Sequence, residues 1–231
     1  MFSPQLDPLS RHFPEVESAA KDPNGLLASG GDLSAELLME AYYSGIFPWY
    51  DQHSPILWWS PDPREVVSPG DQHCSKSMRK MLLKGDDFEI TTDKAFNRVI
   101  THCARQNDSN HWVTDEMIEA YTELHTLGHA HSLEVWQKEE LVGGLYGVAV
   151  GAIFCGESMF HSVTNASKLA FLALADTLFS QGYQLIDCQF ETDHLRSLGS
   201  RAISRKSYIE ALTKARIMHL AWPDTFSTNL G

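Results

Sequence analysis

Basic residues are scarce: 18 Lys and Arg face 30 Asp and Glu, giving a formal net charge of -12 at pH 7. Proteins that coat nucleic acid gain most of their affinity by neutralising phosphates, so this balance excludes that class while leaving room for a local basic patch. Cysteine is also sparse. Cys74, Cys103, Cys155 and Cys188 are scattered without a CxxC pair, which argues against a disulfide framework or a zinc knuckle and for buried free thiols. There is no long apolar run. The most membrane-like stretch, 141–155, holds Gly143, Gly144, Gly147 and Gly151 and is too short to span a bilayer as a helix. The first ten residues contain Pro4, Asp7 and Pro8 and lack the basic start and apolar core of a signal peptide, so a cytoplasmic protein is expected.

Hydrophobic residues make up 43% and charged residues 21% of a 231-residue chain without a low-complexity tract or internal repeat. Such a chain can bury one large core, or a large and a small one. Residues 24–69 are rich in turn formers and aromatics, with a helix expected over 33–44, ended by Gly45. The Pro-rich remainder reads as ordered loop pinned by Trp49, Tyr50, Trp58 and Trp59. A small N-terminal domain is placed at 1–62 and a larger one at 63–231.

Helices are expected over 75–83, over 94–105 behind an Asp93 cap, and over 115–127 between Thr114 and Gly128. The period then changes to that of strands over 132–137, 141–150 and 152–160, most simply an antiparallel meander. Residues 165–181 form a helix that is apolar almost all round and therefore buried. A strand over 183–190 and helices over 192–198 and 204–215 follow. This order predicts an α+β fold with a mixed sheet flanked by helices, of the kind seen in N-acyltransferases (GNAT-like).

The most informative segment is Leu185-Ile-Asp-Cys-Gln189, which sets Asp187 and Gln189 two residues apart in an apolar strand, where alternation aims them to one face. Such residues can also simply bond neighbouring backbone. Upstream, Phe154-Cys-Gly-Glu-Ser-Met-Phe160 places Glu157 in a second apolar run, where an ionised carboxylate needs a partner or a task. His129 and His131 form an HxH pair without a companion ligand cluster, and a structural role is favoured over a metal site. Lys76, Lys80 and Lys84, with Arg79 beside them, make a basic stripe at helical spacing, equally readable as a solvated face.

Seven blocks together resemble the leucyl/phenylalanyl-tRNA-protein transferases: Asp22-Pro-Asn-Gly-Leu-Leu-Ala28, Gly30-Gly-Asp-Leu33, Gly45-Ile-Phe-Pro-Trp49, Ile56-Leu-Trp-Trp-Ser-Pro-Asp-Pro-Arg64, Gly128-His-Ala-His-Ser132 and the two segments around Glu157 and Asp187. They span most of the chain in the order that family shows. The resemblance implies a small N-terminal domain, an acyltransferase-like C-terminal domain, and transfer of Leu, Phe or less readily Met from aminoacyl-tRNA to the N-terminal Arg or Lys of proteins. The product would be marked for N-terminus-dependent degradation. An aminoacyl ester is already activated, so neither a cofactor, a metal nor a nucleophile motif is expected.

By that resemblance Gln189 would accept a hydrogen bond from the attacking amine, Asp187 would orient the network and stabilise developing positive charge, and Glu157 would pair with the acceptor's basic end. Leu145, Phe154, Met159, Phe171 and Leu174 would line an apolar pocket, although each could equally be ordinary core. Phe154 and Met159, an odd number of residues apart, face one way only if a bulge at Gly156 re-aims them. Trp49 and Trp112 would sit beside the terminal adenosine, and Lys76, Arg79, Lys80 and Lys84 on acceptor-stem phosphates. A monomer is the default. The rival readings are an acyl-CoA N-acyltransferase, for which 161–168 lacks the usual Gly-rich cradle, and a noncatalytic module that binds basic protein N-termini.

Overall fold

The computed structural model describes residues 4–6, 12–83, 88–106 and 113–228. Near the N-terminus, β1 (Leu26–Ser29), β2 (Phe47–Pro48) and β3 (Leu57–Trp59) form an antiparallel sheet in the order β1-β3-β2. The aromatic, Pro-rich stretch read as loop therefore contains a sheet. Trp58 is fully buried there, and its indole N–H donates to the Gly30 carbonyl at 2.8 Å. Between β1 and β2 runs α1 (Ala35–Tyr43). Gly45 follows in the left-handed region at φ +77°, and a Cβ there would lie 2.5 Å from the Ile209 side chain, so both conformation and space call for glycine.

The main sheet has seven strands in the order β10-β4-β9-β8-β7-β6-β5: β10 (Arg201–Ile203), β4 (Arg64–Val67), β9 (Leu185–Gln189), β8 (Ile153–His161), β7 (Glu140–Val150), β6 (Ala130–Gln137) and β5 (Phe88–Thr92). β6, β7 and β8 make the expected meander, and β8 and β9 are parallel. A parallel pair requires a crossover. It is supplied by α5 (Ala166–Ser180), of whose 15 residues eleven are buried, as its all-round apolarity predicts.

Core lies on both faces. Leu133, Val135 and Leu145 pack toward α5, while Tyr146 and Val148 face α3 (Phe96–Gln106) and α4 (Asp115–Thr126). The Thr114 hydroxyl caps α4 by accepting from the Met117 N–H, as expected. Asp93 does not cap α3. Its carboxylate accepts from the Ser132 N–H at 2.8 Å and bonds His131 at 2.7 Å, and the buried Glu134 takes the Ala95 N–H at 3.3 Å instead. A carboxylate projecting from a neighbouring strand thus serves the orphan donors of the helix start. Completing the fold, α2 (Lys76–Leu83) follows β4, α6 (Asp193–Ser197) follows β9, and α7 (Arg205–Ala215) follows β10. Among the described residues no helix is long and apolar enough to cross a membrane.

Candidate active site

Two bulges at neighbouring positions build the site. Along β7 and β8, Tyr146 pairs with Ser158 and Gly147 with Gly156, which leaves Glu157 without a partner. Along β4 and β9, Glu65 pairs with Gln189 and Val66 with Asp187, which leaves Cys188 out. Parallel pairing of β8 with β9 ends at Cys155 and Asp187 although both strands continue, so a cavity opens between their diverging ends. Bulges re-aim side chains and end ladders, and they recur beside functional sites.

The cavity is about 290 Å³, at the small end of ligand pockets and suited to one amino-acid side chain. Leu145, Phe154, Met159, Phe171 and Leu174 all line it, with Glu157 and Gln189 on its polar side. The Gly156–Glu157 bulge is what lets Phe154 and Met159 reach one cavity, removing the conflict that strict alternation raised. Thr192 and His194 also line it, from the start of α6 and its N-cap, with His194 Nε2 3.3 Å from the Met159 sulfur. No sequence signal marked either one.

Asp187 is fully buried and saturated. Arg64 Nε and Nη2 donate to its two oxygens at 2.8 and 2.6 Å, the Tyr208 hydroxyl donates at 2.8 Å, and the Gln189 backbone N–H donates at 3.0 Å. Arg64 is itself 1% exposed and lies between the Phe47 and Tyr208 rings, 4.6 and 4.5 Å from their centroids. Burial pulls the guanidinium pKa down, but Asp187 more than offsets this and holds it above its ordinary value. Arg64 carries this geometry and was not among the residues singled out from sequence.

Strand alternation does not relate Asp187 to Gln189 as expected. Gln189 adopts φ +64°, in the left-handed region, so the two side chains part company. Asp187 turns to Arg64, whereas the Gln189 amide nitrogen donates to Glu157 Oε1 at 2.8 Å. The Asp187 carboxylate reaches Gln189 only through the backbone N–H.

Among the described residues Glu157, 8% exposed, has only uncharged donors. Tyr121 donates to Oε2 at 3.1 Å, Gln189 holds Oε1, and the Tyr42 hydroxyl, in contact with that of Tyr121, bonds the same group. Burial pushes the Glu157 pKa from 4.5 up to about 7. The hydroxyls of Tyr42 and Tyr121 and the Gln189 amide pull it back, and the Asp187 charge adds to the rise. These tyrosines come from α1 and α4, so the N-terminal helix and the main sheet meet at this carboxylate.

Trp49 is 39% exposed and packs edge-on against Trp59 at 5.5 Å and tilted on Phe190, the residue after Gln189, at 5.4 Å. An open indole face thus lies one ring from the polar end of the cavity. Lys76, Arg79 and Lys80 are exposed on α2, whose Met78 is buried in the α5-side core. Trp112 and Lys84 lie outside the described residues. His131 of the HxH pair is part of the packing: it bonds Asp93 and stacks on Trp222 at 4.2 Å. Cys103, Cys155 and Cys188 are buried free thiols.

A mixed seven-stranded sheet whose parallel pair diverges around a cavity, with a long buried helix crossing over, defines an α+β protein with its candidate site at the split in the sheet. Residues 66–213 match the family model described as leucyl/phenylalanyl-tRNA protein transferase, and residues 31–62 match that of the family's N-terminal domain. The chain is 54% identical over 206 residues to the leucyl/phenylalanyl-tRNA–protein transferase of Shewanella baltica, covering 88% of this chain and 86% of that one. It is 50% identical over 225 residues to that of Escherichia fergusonii, covering 96% and 95%. Among solved structures, a GCN5-related N-acetyltransferase from Kribbella flavida is similar at a TM-score of 0.38 and 12% identity, covering 74% of this chain and 60% of that one. The chain belongs to the leucyl/phenylalanyl-tRNA–protein transferase family, and its activity class is aminoacyl transfer.

Proposed function

We propose that this enzyme transfers Leu, Phe and less readily Met from aminoacyl-tRNA to the α-amino group of proteins that begin with Arg or Lys, marking them for N-terminus-dependent degradation. The observation that carries the reading is the cavity: largely apolar, sized for one side chain and lined on its polar part by Gln189 and Glu157. The Met159 thioether and the apolar side chains of Leu145, Phe154, Phe171 and Leu174 in its lining adapt to branched, linear and aromatic side chains alike. The donor side chain would enter this cavity with its ester carbonyl beside Gln189.

In the reaction the acceptor nitrogen forms a C–N bond to the ester carbonyl, the C–O bond to the terminal ribose breaks, and one amine proton is passed on as the ribose oxygen leaves with a proton. With its nitrogen committed to Glu157, the Gln189 amide offers its oxygen to an N–H of the attacking amine and so fixes the angle of attack. An amide oxygen is barely basic, so the proton needs another destination. Glu157, touching Gln189 and raised to about 7, takes that proton and gives it up to the leaving ribose oxygen, so the step closes with no net proton change.

This assigns Glu157 differently from a partner for the acceptor's Arg or Lys side chain. Both its oxygens already accept hydrogen bonds and little of it is exposed, which suits proton acceptance better than pairing with a solvated cation. Asp187, already matched by Arg64, acts as a positioning residue that holds the Gln189 backbone. Trp49 offers a stacking face for the terminal adenine, and Lys76, Arg79 and Lys80 offer charge for acceptor-stem phosphates.

The test is to mix the protein with radiolabelled leucyl-tRNA and either of two acceptor proteins, one beginning with Arg and one with Ala. Acid-precipitable label on the Arg protein alone is expected. Equal label on both, or none on either, would overturn the proposed acceptor selectivity or the transfer itself, respectively.

A further inference from the structure

We propose that Trp222, in the irregular C-terminal segment, sets the depth of the cavity and thereby the size of donor side chain accepted. This rests on the cavity being the donor side-chain pocket. The C-terminal segment carries no motif readable in the sequence, yet its aromatic residues pack against the wall of the site. Phe154 lines the cavity, is fully buried and belongs to the α5-side core. Its ring tip is confined on one side by β7, because a Cβ on Gly147 would come within 2.6 Å of Cζ. The Trp222 indole packs against the same ring at 5.4 Å, tilted by 31°.

Trp222 is itself firmly held. The His131 ring stacks on it at 4.2 Å and 8°, Phe226 packs at 5.1 Å, and its N–H donates to Thr92 Oγ1 at 2.8 Å. Further along, Ser227 exchanges hydrogen bonds with Thr177 of α5 at 3.1 and 3.2 Å, anchoring the segment to the helix that carries Phe171 and Leu174. Trp222 lines a separate outer groove, with Tyr43 and Arg216, and does not line the cavity. An indole layer therefore lies between Phe154 and that groove. With it gone, Phe154 gains room to retreat from the cavity, since a void left by a large side chain is filled only in part by relaxation.

The test is a competition among leucyl-, phenylalanyl- and tryptophanyl-tRNA for one N-terminal Arg acceptor, using the full chain, Trp222→Ala and Trp222→Phe. Product ratios cancel differences in the folded fraction. Trp222→Ala should raise the Trp-to-Leu product ratio roughly tenfold, a change of the size that one or two methylenes make in an apolar pocket. Trp222→Phe should restore most of the original ratio. If Trp222→Ala fails to fold, Thr92→Val, which removes the hydroxyl that accepts from the indole and donates to the Ser132 carbonyl, should shift the ratio the same way to a smaller extent. Unchanged ratios, with all donors reduced alike, would overturn the inference and leave Trp222 as packing. Absence of any transfer by the unaltered chain would instead overturn the transfer reading, and the inference with it.

Discussion

Asp187 and Glu157 sit on adjacent parallel strands, both buried, and the protein treats their charges in opposite ways. Asp187 faces a guanidinium that grips both its oxygens, with a tyrosine and a backbone N–H completing the shell. Its charge is matched and spent on structure. Glu157 is surrounded by hydroxyls and an amide, without a cation among the described residues, and burial drives it toward neutrality at about pH 7. The same side-chain chemistry thus yields a fixed strut in one place and a titrating group one strand away. What separates them is the charge of the nearest donor, set by Arg64 on β4 in one case and by the tyrosines of α1 and α4 in the other.

Removing the strut should have the largest effect. Arg64→Met leaves Asp187 buried and uncompensated and should destabilise the fold by about 3–5 kcal/mol, read as a lowered urea midpoint. Loss below about 1 kcal/mol would show that Asp187 is not held as an ion. The titrating partner should respond through pH instead. A carboxyl whose folded pKa is raised contributes its full stabilisation below the unfolded pKa and loses it as pH rises through the folded one. Relative to Glu157→Gln, the unaltered protein should therefore lose roughly 3 kcal/mol of stability between pH 4.5 and 7. Urea titrations of both proteins across that window check this, and a constant difference would place the Glu157 pKa near its ordinary value.

Between the two carboxylates stands Gln189. Gln189→Ala should reduce single-turnover transfer by about 100-fold and cost about 1–3 kcal/mol of stability through the donor lost to buried Glu157, while its backbone N–H still reaches Asp187. A combined Lys76, Arg79 and Lys80 to Ala variant should have the smallest effect on chemistry. It should weaken aminoacyl-tRNA binding and flatten its salt dependence by a slope of about 2–3, while sparing transfer from a minimal aminoacyl-adenosine.

Much of this arrangement was legible in the residues. The buried helix, the meander, the Thr114 cap and the five cavity residues follow from periodicity, capping and resemblance, whereas a bulge at Gly156 entered only as the condition for Phe154 and Met159 to share a face. The small sheet was not legible, because Trp58 and Trp59 lie in a Pro-rich run too short to show alternation. Nor was β4, where Arg64 and Glu65 are buried strand residues that any polarity pattern assigns to the surface. Arg64 meets Asp187 across 123 positions, and Tyr42 meets Tyr121 across 79, separations at which single-sequence patterns are silent. The left-handed Gln189 defeated the alternation argument for a local reason: the bulge at Cys188 ends the extended strand there.

The most direct test of the contrast is the pH dependence of single-turnover leucyl transfer to an Arg-initiated peptide, measured in the unaltered protein and in Glu157→Gln. The account predicts a rate that rises with pH through an ionisation near 7 in the unaltered protein. In the variant that ionisation should be gone, leaving only the rise of the acceptor's own α-amino group at about 8, and the rate should be roughly 100-fold or more lower at pH 8. An identical pH profile in both proteins would contradict it, and would move the proton acceptor away from Glu157.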